Sequence, residues 1–363
     1  MNILMVSASG NFFGGEKVLL NLSEYFRSLD HNVEIIVPFE GEFTLEITKR
    51  NFKYHIIPIK NSFSIKAFYP FYRLVKDNNF DLIHSHGYVP NQISRIISQI
   101  TDKPVVCLLH VIQDYNWENL GMKSFYYKIL DRMTNALTSK IINVAVSKPV
   151  SNSAKYLKAE IIYNGVSNPD QSYDYPEKIK VFAMVGRIVN IKGIDTVLKA
   201  MKKLKDHDIK LLLYGDDITP KKKWKNKYIK YINENDLNVE MMGYIKDPQE
   251  IYSRFDVLIH ASKEGHEGCP LVLIEAMIRK KLVIYSRINA SKSVMKKNGI
   301  PFSTDDVTDL TDKIKEILTW EKTKIKNKIQ ADFDYANKRF SLNKFFKKHE
   351  NIVKRLYAKK NIL

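Results

Sequence analysis

Two glutamates, Glu267 and Glu275, lie in a stretch that passes from a polar loop into an apolar helix, SKEGHEGCPLVLIEAMIRKK, residues 262–281. Pro270 stands at a typical first helical position, which puts Glu267 in the loop and Glu275 in the second helical turn. An acid near a helix start often only stabilises the helix dipole, which contributes about 0.3–1 kcal/mol. Glu275, however, is set among Leu, Ile and Ala, where a carboxylate without a partner is costly. The stretch therefore favours a functional role for this carboxylate.

Two cations follow another predicted strand. The stretch VGRIVNIKGIDTVLKA places Arg187 and Lys192 in a loop that Gly193 closes ahead of a helix. A guanidinium and an ammonium beside a helix N-terminus add charge to aligned backbone N–H groups, so together they can bind a diphosphate. As isolated residues, the same cations are more often surface charges.

A glycine loop follows the first predicted strand, in SASGNFFGGEKVLLNL. Gly14 and Gly15 open a helix there and allow an anion or a sugar to approach backbone amides. With Gly10 they do not match G-x-G-x-x-G, and the second strand ends in IIVPFE without a ribose-binding acid, so hydride transfer is disfavoured. A plain strand-to-helix turn is the alternative. His110 ends the later strand VVCLLHV, where a lone histidine is more often structural than catalytic.

The elements that must position these residues follow one rhythm, in which short apolar runs alternate with longer amphipathic ones. Nearly continuous apolar strands between helices predict buried parallel sheets of the doubly wound kind. The rhythm restarts after the polar stretch Asn164–Lys178, which is the best candidate linker. We therefore predict an α/β protein of two such units and a helical tail from Thr311. Parallel sheets bind ligands beyond the carboxyl ends of their strands, which is where these loops lie.

Composition supports two cores and excludes some classes of protein. A chain of 363 residues with 44% hydrophobic residues exceeds the usual range of one domain. Only Cys107 and Cys269 are present, so a disulfide framework or a metal knuckle is not expected, and a cytoplasmic protein is. The sequence shows no basic leader and no apolar run near the roughly 20 residues of a membrane span. The net charge of +18 admits nucleic acid, an anionic membrane or phosphate-bearing substrates, but no nucleic-acid-binding signature accompanies it.

Taken together, the loops resemble those of glycosyltransferase family 4 over nearly the whole chain. The most specific part is the glutamate pair behind Arg187 and Lys192. The motifs that carry the resemblance are FGGEKVLLNL, DLIHSHG, AVSKPV, IIYNGV, VGRIVNIKGID and EGCPLVLIEAM. The resemblance implies the GT-B fold, two facing Rossmann-like domains with the active site in the cleft between them. It places the acceptor domain at 1–168, joined by a C-terminal helix at about 342–363, and the donor domain at 169–341.

The same resemblance implies retaining transfer of a sugar from a nucleotide donor, UDP- or GDP-linked, without a metal or other cofactor. Arg187 and Lys192 then bind the donor diphosphate and stabilise its charge as it leaves an oxocarbenium-like transition state. Glu267 binds hydroxyls of the donor sugar and Glu275 those of the ribose. His110 contacts the sugar from the first domain and belongs, with Glu267 and the two cations, to the catalytic set.

Four further residues complete the implied donor site. Gly14 and Gly15 line the cleft near the meeting point of phosphate and acceptor, while Gly268 and Leu271 join the donor-binding set. No carboxylate has a persuasive claim to be a covalent nucleophile. We therefore favour a front-face displacement in which the leaving phosphate helps to deprotonate the acceptor, a choice that rests on the family.

Three departures from the family pattern affect the donor site. Asp217 replaces the second glycine of the loop after LLLY, and IRKKLVIYSRINAS lacks the usual glycines. These positions approach the base and the diphosphate, so the nucleotide is left open. Glu264 and His266 lengthen the glutamate loop, where they either sharpen sugar choice or are merely exposed.

Other functions also fit part of this sequence pattern. An epimerase or a phosphorylase on the same fold shares the phosphate site. A metal-dependent transferase needs Asp-x-Asp after a strand, whereas DHD, residues 206–208, precedes a strand and DFD, residues 332–334, lies in the helical tail. A nucleic-acid binder explains the charge but not the glutamates. The favoured acceptor is a glycan or a lipid-linked precursor in cell-surface polysaccharide or glycolipid synthesis.

Two segments in which aromatic and basic residues interleave, Asn61–Lys76 and Tyr115–Met133, suggest peripheral attachment to an anionic inner membrane face. The alternative is that the same aromatics pack beneath the first sheet.

Overall fold

The computed structural model describes residues 1–59, 65–112, 122–169, 175–265 and 267–360. Contacts divide the chain into two compact units. The first comprises Met1–Gly165 together with the chain from Asn343 onward, and the second comprises Val166–Leu342.

The first unit is built on a parallel sheet of seven strands in the order β3-β2-β1-β4-β5-β6-β7. Its strands are β1 (Asn2–Val6), β2 (Asn32–Val37), β3 (Lys53–Ile56), β4 (Leu82–His86), β5 (Val105–Leu109), β6 (Ile141–Ala145) and β7 (Glu160–Ile161). Its helices before the second unit are α1 (Gly14–Ser28), α2 (Glu42–Lys49), α3 (Ile65–Asp77), α4 (Tyr88–Thr101), α5 (Met122–Leu137) and α6 (Lys148–Ser153), with a 3₁₀ turn at Lys155–Leu157. The central strands β4 and β5 are buried along their whole length, as their apolar composition requires.

A buried ion pair joins two helices of this unit. The guanidinium of Arg95 on α4 donates to Asp131 on α5 at 2.5 Å and to the side chain of Asn143 on β6 at 3.0 Å. Tyr156 donates to the second oxygen of the same carboxylate at 2.8 Å. Arg95 is fully buried, and this set of partners is what makes its burial tolerable.

The second unit repeats the plan with six parallel strands in the order β10-β9-β8-β11-β12-β13. They are β8 (Val181–Val185), β9 (Lys210–Tyr214), β10 (Val239–Gly243), β11 (Val257–His260), β12 (Leu282–Ser286) and β13 (Ile300–Phe302). Its helices are α7 (Ile194–Lys203), α8 (Lys223–Glu234), α9 (Pro248–Ser253), α10 (Leu271–Ile278), α11 (Asn289–Met295), α12 (Val307–Leu318) and α13 (Lys322–Phe340), with 3₁₀ turns at Asn190–Lys192 and Pro220–Lys222. Helix α14 (Leu342–Lys360) then returns the chain to the first unit.

The two ends of the second unit are held together. Val166 forms a parallel bridge with Ser341, and its N–H donates to the carbonyl of Phe340 at 2.9 Å. The polar stretch predicted to be a linker begins just before this bridge.

The two buried parallel sheets predicted from the alternating runs are confirmed. Three details differ from the sequence prediction. Pro270 is extended (ψ 99°) and precedes α10, which begins at Leu271. AEIIYNGV forms a strand only at Glu160–Ile161. The helical tail is divided into α12, α13 and α14.

In each sheet the strand order reverses at one place, between β1 and β4 in the first unit and between β8 and β11 in the second. Two neighbouring loops diverge at such a point and leave a crevice beyond the carboxyl ends of the strands. Ligand sites are therefore expected at these two positions.

Candidate active site

The predicted site residues fall into two groups, one in each unit, and both groups lie at or next to the place where the strand order reverses. In the second unit the chain leaves β8 through Gly186 and Arg187, makes the 3₁₀ turn that ends at Lys192, and enters α7 through Gly193. Gly193 has a φ of +69°, and a Cβ added there would lie 2.0 Å from the carbonyl oxygen of Ala261. Only glycine allows this close approach, which brings the Lys192 turn against the loop that follows β11.

Glu267 is the centre of a polar network in that loop. Its Oε1 forms an ion pair with Lys192 Nζ and accepts a hydrogen bond from Ser262 Oγ at 2.9 Å. His260 Nε2 lies 3.7 Å from the same oxygen. At this distance the two groups form an ion pair only when the imidazole is protonated. Burial raises the pKa of Glu267, but the charge of Lys192 and the proximity of His260 outweigh burial and hold the pKa well below its usual range. The carboxyl group is therefore ionised at neutral pH.

A small recess, open to solvent, lies beside this network at the carboxyl ends of β8 and β11. Its lining combines charged and polar side chains with apolar ones. The polar and charged residues among them are Arg187, Lys192, Tyr214, His260 and Ser262. Two cations beside the first turn of α7 make this recess suitable for an anionic group.

Glu275 has a different environment from Glu267. It lies on α10 with 8% of the residue exposed, and its Oε2 accepts a hydrogen bond from Tyr252 Oη at 3.1 Å. The guanidinium of Arg279 lies 5.1 Å from the centre of the Tyr252 ring. Burial, together with the Glu275 carboxylate, raises the pKa of Tyr252 well above its usual value, so the phenol remains a donor. Gly268 is buried in the loop before α10, and Leu271 opens the helix.

Two acids that depart from the family pattern bind helix N-termini. The Glu264 carboxylate accepts from the N–H of Asn289, at the start of α11, at 3.0 and 3.3 Å. Asp217 is buried and accepts from the N–H groups of Trp224 and Lys225, at the start of α8, at 2.7 and 3.0 Å. Burial raises the pKa of Asp217, but these bonds and those from Thr219 outweigh it and lower the pKa. His266 lies outside the described residues.

In the first unit the structure brings Gly15 and His110 together. Gly14 and Gly15 are the first two residues of α1, and a Cβ added to Gly15 would lie 4.0 Å from the His110 ring. His110 directly follows β5, and its Nε2 lies 3.1 Å from Nδ1 of His86 at the end of β4. Burial lowers the pKa of His110 to about 4, so the imidazole is neutral at pH 7.

Sequence reasoning missed three residues of these networks, His260, Ser262 and Tyr252. The first two carry a usable signal, because they are polar residues at the carboxyl end of the apolar strand β11, in LIHAS. Tyr252 carries none, since its contact with Glu275 depends on how α9 and α10 pack. Among the described residues, no group of three or more His, Cys, Asp or Glu side chains is arranged to hold a metal ion. In the same part of the chain no helix combines the length and apolar character of a membrane span.

Two family models match adjoining segments of the chain. The model described as Glycosyltransferase Family 4 matches residues 13–168, and the model described as Glycosyl transferases group 1 matches residues 168–339. Together they include the glycine loop, His110, both cations and both glutamates.

Two curated relatives are similar in sequence. The capsular polysaccharide biosynthesis glycosyltransferase CapH of Staphylococcus aureus is 24% identical over 264 residues, which is 70% of this chain and 72% of the relative. The UDP-Gal:alpha-D-GlcNAc-diphosphoundecaprenol alpha-1,3-galactosyltransferase of Escherichia coli is 25% identical over 258 residues, which is 64% of each protein.

Solved structures share the fold over almost the entire chain. Anabaena Alr3699/HepE in complex with UDP and glucose superposes with a TM-score of 0.81 at 17% identity, over 98% of this chain and all of the other. Sucrose-phosphate synthase from Thermosynechococcus elongatus gives a TM-score of 0.79 at 16% identity, over 99% of each chain.

Proposed function

Because the chain belongs to glycosyltransferase family 4, we propose that it is a retaining enzyme that transfers a hexose from a UDP-sugar to a glycan or lipid-linked acceptor. The observation that carries this proposal is the recess in the second unit, which Arg187 and Lys192 line and beside which Lys192 pairs with the ionised Glu267. UDP is favoured as the carrier because one relative is named for UDP-Gal and one solved structure of the same fold holds UDP and glucose.

The two cations have complementary roles toward the donor. Arg187 presents a planar fork that matches phosphate oxygens, and Lys192 supplies a compact charge. Lys192 also contacts Glu267, so one ammonium links the diphosphate position to the carboxylate that accepts hydrogen bonds from the sugar hydroxyls. Glu275, held by Tyr252, would accept hydrogen bonds from the ribose hydroxyls.

The reaction proposed is a front-face displacement. The bond between the anomeric carbon and the diphosphate oxygen breaks, and a bond from the acceptor oxygen to that carbon forms on the same face. The acceptor proton passes to the departing diphosphate oxygen. Negative charge develops on the diphosphate, where Arg187, Lys192 and the N-terminus of α7 stabilise it.

We further propose that this transfer needs no divalent metal, because two fixed cations already neutralise the diphosphate. Activity should persist in excess EDTA. Loss of activity in EDTA that magnesium or manganese restores would show this part of the proposal to be wrong.

The acceptor proposed is a precursor of a surface polysaccharide or a lipid-linked glycan. The names of the two relatives, one in capsular polysaccharide synthesis and one acting on a diphosphoundecaprenol-linked sugar, support this class. An apolar stripe on α5 is consistent with work at a lipid surface, since Ile129, Met133 and Leu137 recur every fourth residue and are 39%, 55% and 65% exposed.

A donor screen tests the function directly. The protein is incubated with single UDP- and GDP-sugars, with and without a lipid-linked acceptor pool, and the products are analysed by mass spectrometry and by NMR of the new anomeric centre. We expect one UDP-hexose to be consumed, faster with acceptor, and to give an α-linked product from an α-linked donor. A β-linked product, or an interconverted donor without transfer, would contradict the proposal.

A further inference from the structure

Four histidines of the first unit form a continuous chain of ring-to-ring hydrogen bonds. His110 Nε2 lies 3.1 Å from His86 Nδ1, and His86 Nε2 lies 3.1 Å from His84 Nδ1. His84 Nε2 in turn lies 3.3 Å from Nδ1 of His349. Both ring nitrogens of His86 and of His84 are therefore used within the chain.

Three different elements contribute these rings. His84 and His86 are alternate residues of β4 and so point to the same face of the sheet. His110 follows the neighbouring strand β5, and His349 comes from α14, the last helix, which packs back onto this unit. His84 and His349 are fully buried and His86 is 3% exposed. The chain thus runs from the candidate site into the core.

The rings are neutral, and this restricts their tautomers. Burial lowers the pKa of His84 to about 3, and it holds the pKa values of His86 and His349 well below the usual value. A neutral imidazole has one N–H and one acceptor nitrogen. Because the inner rings use both nitrogens, every N–H in the chain must point the same way. Only two arrangements remain, one for each direction.

The buried end of the chain indicates the direction. His349 Nε2 is buried and has no hydrogen-bond partner among the described residues. For backbone groups, a buried donor without a partner is rarer than an under-used acceptor, and we apply the same preference to the ring. His349 then carries its proton on Nδ1 and donates to His84, and each following ring donates in turn. At the other end, His110 accepts at Nε2 and carries its own proton on Nδ1.

We infer that His86, His84 and His349 are positioning residues that fix His110 as a neutral ring whose Nδ1–H can donate to a substrate oxygen. This inference rests on the proposed function for the identity of the ligand, but the tautomer does not depend on it. The histidine chain links His110 of the candidate site to His349 on the terminal helix, which lies 239 positions later in the sequence (349 minus 110). A neutral donor can bind a substrate oxygen without adding a positive charge there.

The tautomer is measured by NMR of protein labelled with ¹⁵N in histidine, in which a protonated ring nitrogen and a bare one have well-separated shifts. We expect wild-type His110 to be protonated at Nδ1 and bare at Nε2 at neutral pH. His349→Phe removes the terminal donor and should mix the two His110 tautomers. His349→Asn should preserve the wild-type pattern, because its amide can donate from the position of Nδ1.

Kinetics provide the second readout. We expect His349→Phe to lower kcat about 10–100-fold, which is the usual loss when a metal-bound imidazole loses the partner that orients it. KM for the donor should stay within about twofold of the wild-type value. His349→Asn should recover most of kcat. Tyr25→Phe is the matched control. Tyr25 donates a hydrogen bond to Glu350 on α14 at 2.6 Å, but it is not part of the histidine chain. The substitution should leave both the tautomer and kcat unchanged.

Three outcomes would overturn the inference. The first is an unchanged His110 tautomer in His349→Phe. The second is a loss of kcat that Tyr25→Phe reproduces at equal thermal stability, because the role of His349 would then be structural. The third is an Asn variant no better than Phe, since direction would then not depend on a donor. If the tautomer responds as expected but no UDP-sugar is transferred, the proposed function fails and the histidine chain stands.

Discussion

Lys192 and Glu267 form an ion pair at the edge of the recess, and the charge of Lys192 helps to hold the pKa of Glu267 below its usual range. Removing the ammonium takes away the largest influence that lowers the pKa of Glu267, while burial continues to raise it. A substitution of Lys192 therefore changes two groups that face the proposed donor. Arg187 is exposed on the loop after β8, and its substitution changes one cation of the recess.

We predict that Arg187→Ala and Lys192→Ala each lower kcat about 10²–10³-fold, because each removes a group proposed to stabilise charge developing on the diphosphate. Lys199→Ala, an exposed lysine on α7 outside the recess, is the control and should retain full activity. Steady-state kinetics measure the effect, and thermal melts establish that the variants fold. Near-normal turnover in both variants would exclude the diphosphate role.

Glu267→Gln and Glu275→Gln should separate sugar recognition from nucleotide recognition. We expect Glu267→Gln to reduce transfer while binding UDP within about threefold of wild type, since the lost carboxylate is the one proposed to bind the sugar. About 0.65 kcal/mol corresponds to that ratio. Glu275→Gln should weaken UDP as well. Calorimetry with UDP alone makes the comparison, with Tyr252→Phe included because it frees the Glu275 carboxylate from its phenol. Equal losses of UDP affinity in the two glutamine variants would mean that the roles are assigned wrongly.

Local patterns placed Arg187, Lys192 and Glu267 in loops that follow apolar strands of a parallel sheet, and such loops converge at one edge. The partners of the site residues were harder to predict from the sequence. Tyr252 meets Glu275 only through the packing of α9 on α10, and His349 reaches His84 across 265 positions of sequence. No periodicity within a strand or a helix contains that information.

Asp217 shows how an element explains a departure from a family pattern. The loop after β9 has a carboxylate at the position where the resemblance to the family leads one to expect a second glycine, and this carboxylate caps α8 by accepting from Trp224 and Lys225. The N-terminus of α8 is therefore filled by the protein's own anion. This helix end is consequently not available to a phosphate, whereas α7, entered through Gly193, has no side-chain cap.

We predict that Asp217→Ala lowers the free energy of unfolding by about 0.5–2 kcal/mol, the usual range for loss of an N-terminal cap. Its neighbour Asp216 is the matched control. Asp216 is 38% exposed and pairs with two lysines, so Asp216→Ala should cost no more than about 1 kcal/mol. Urea unfolding of both variants measures the difference. A larger loss for Asp216→Ala than for Asp217→Ala would contradict this account of α8.

Strands were the most predictable elements and helix boundaries the least. Apolar runs such as KLLLY are long enough to specify a buried strand, as β9 shows. Pro270 tolerates both the first helical position and the residue before it, so α10 began one residue later than its proline suggested. The helical tail carries no proline between Thr311 and Leu363, so its breaks before Lys322 and Leu342 were not predicted.

At the scale of the whole molecule, the net charge of +18 bears on membrane attachment. Helix α3 carries exposed Lys66, Arg73 and Lys76 together with Tyr69, which is 60% exposed. Both segments singled out in the sequence extend outside the described residues, at 61–64 and 115–121. Each basic residue near an anionic surface contributes about 1 kcal/mol, so a few suffice for reversible attachment.

We predict that the protein sediments with anionic vesicles, more strongly as the anionic lipid fraction rises and less strongly as salt rises. Replacing Lys66, Arg73 and Lys76 together by Ser should reduce binding at least tenfold. The charge-matched control replaces Lys223, Lys227 and Lys230 on α8 and should change binding less than threefold. Indifference to anionic vesicles at low salt would remove the membrane proposal and favour a soluble acceptor.

The bridge between Val166 and Ser341 makes the second unit a module with adjoining ends. A segment that enters and leaves at one point can be exchanged between relatives without altering the length or course of the chain on either side of it. Selection on the second unit and selection on the first can then act on separate stretches of the gene. Because α14 and His349 follow the module, a chimera exchanged at these two positions would keep the histidine chain of the recipient intact.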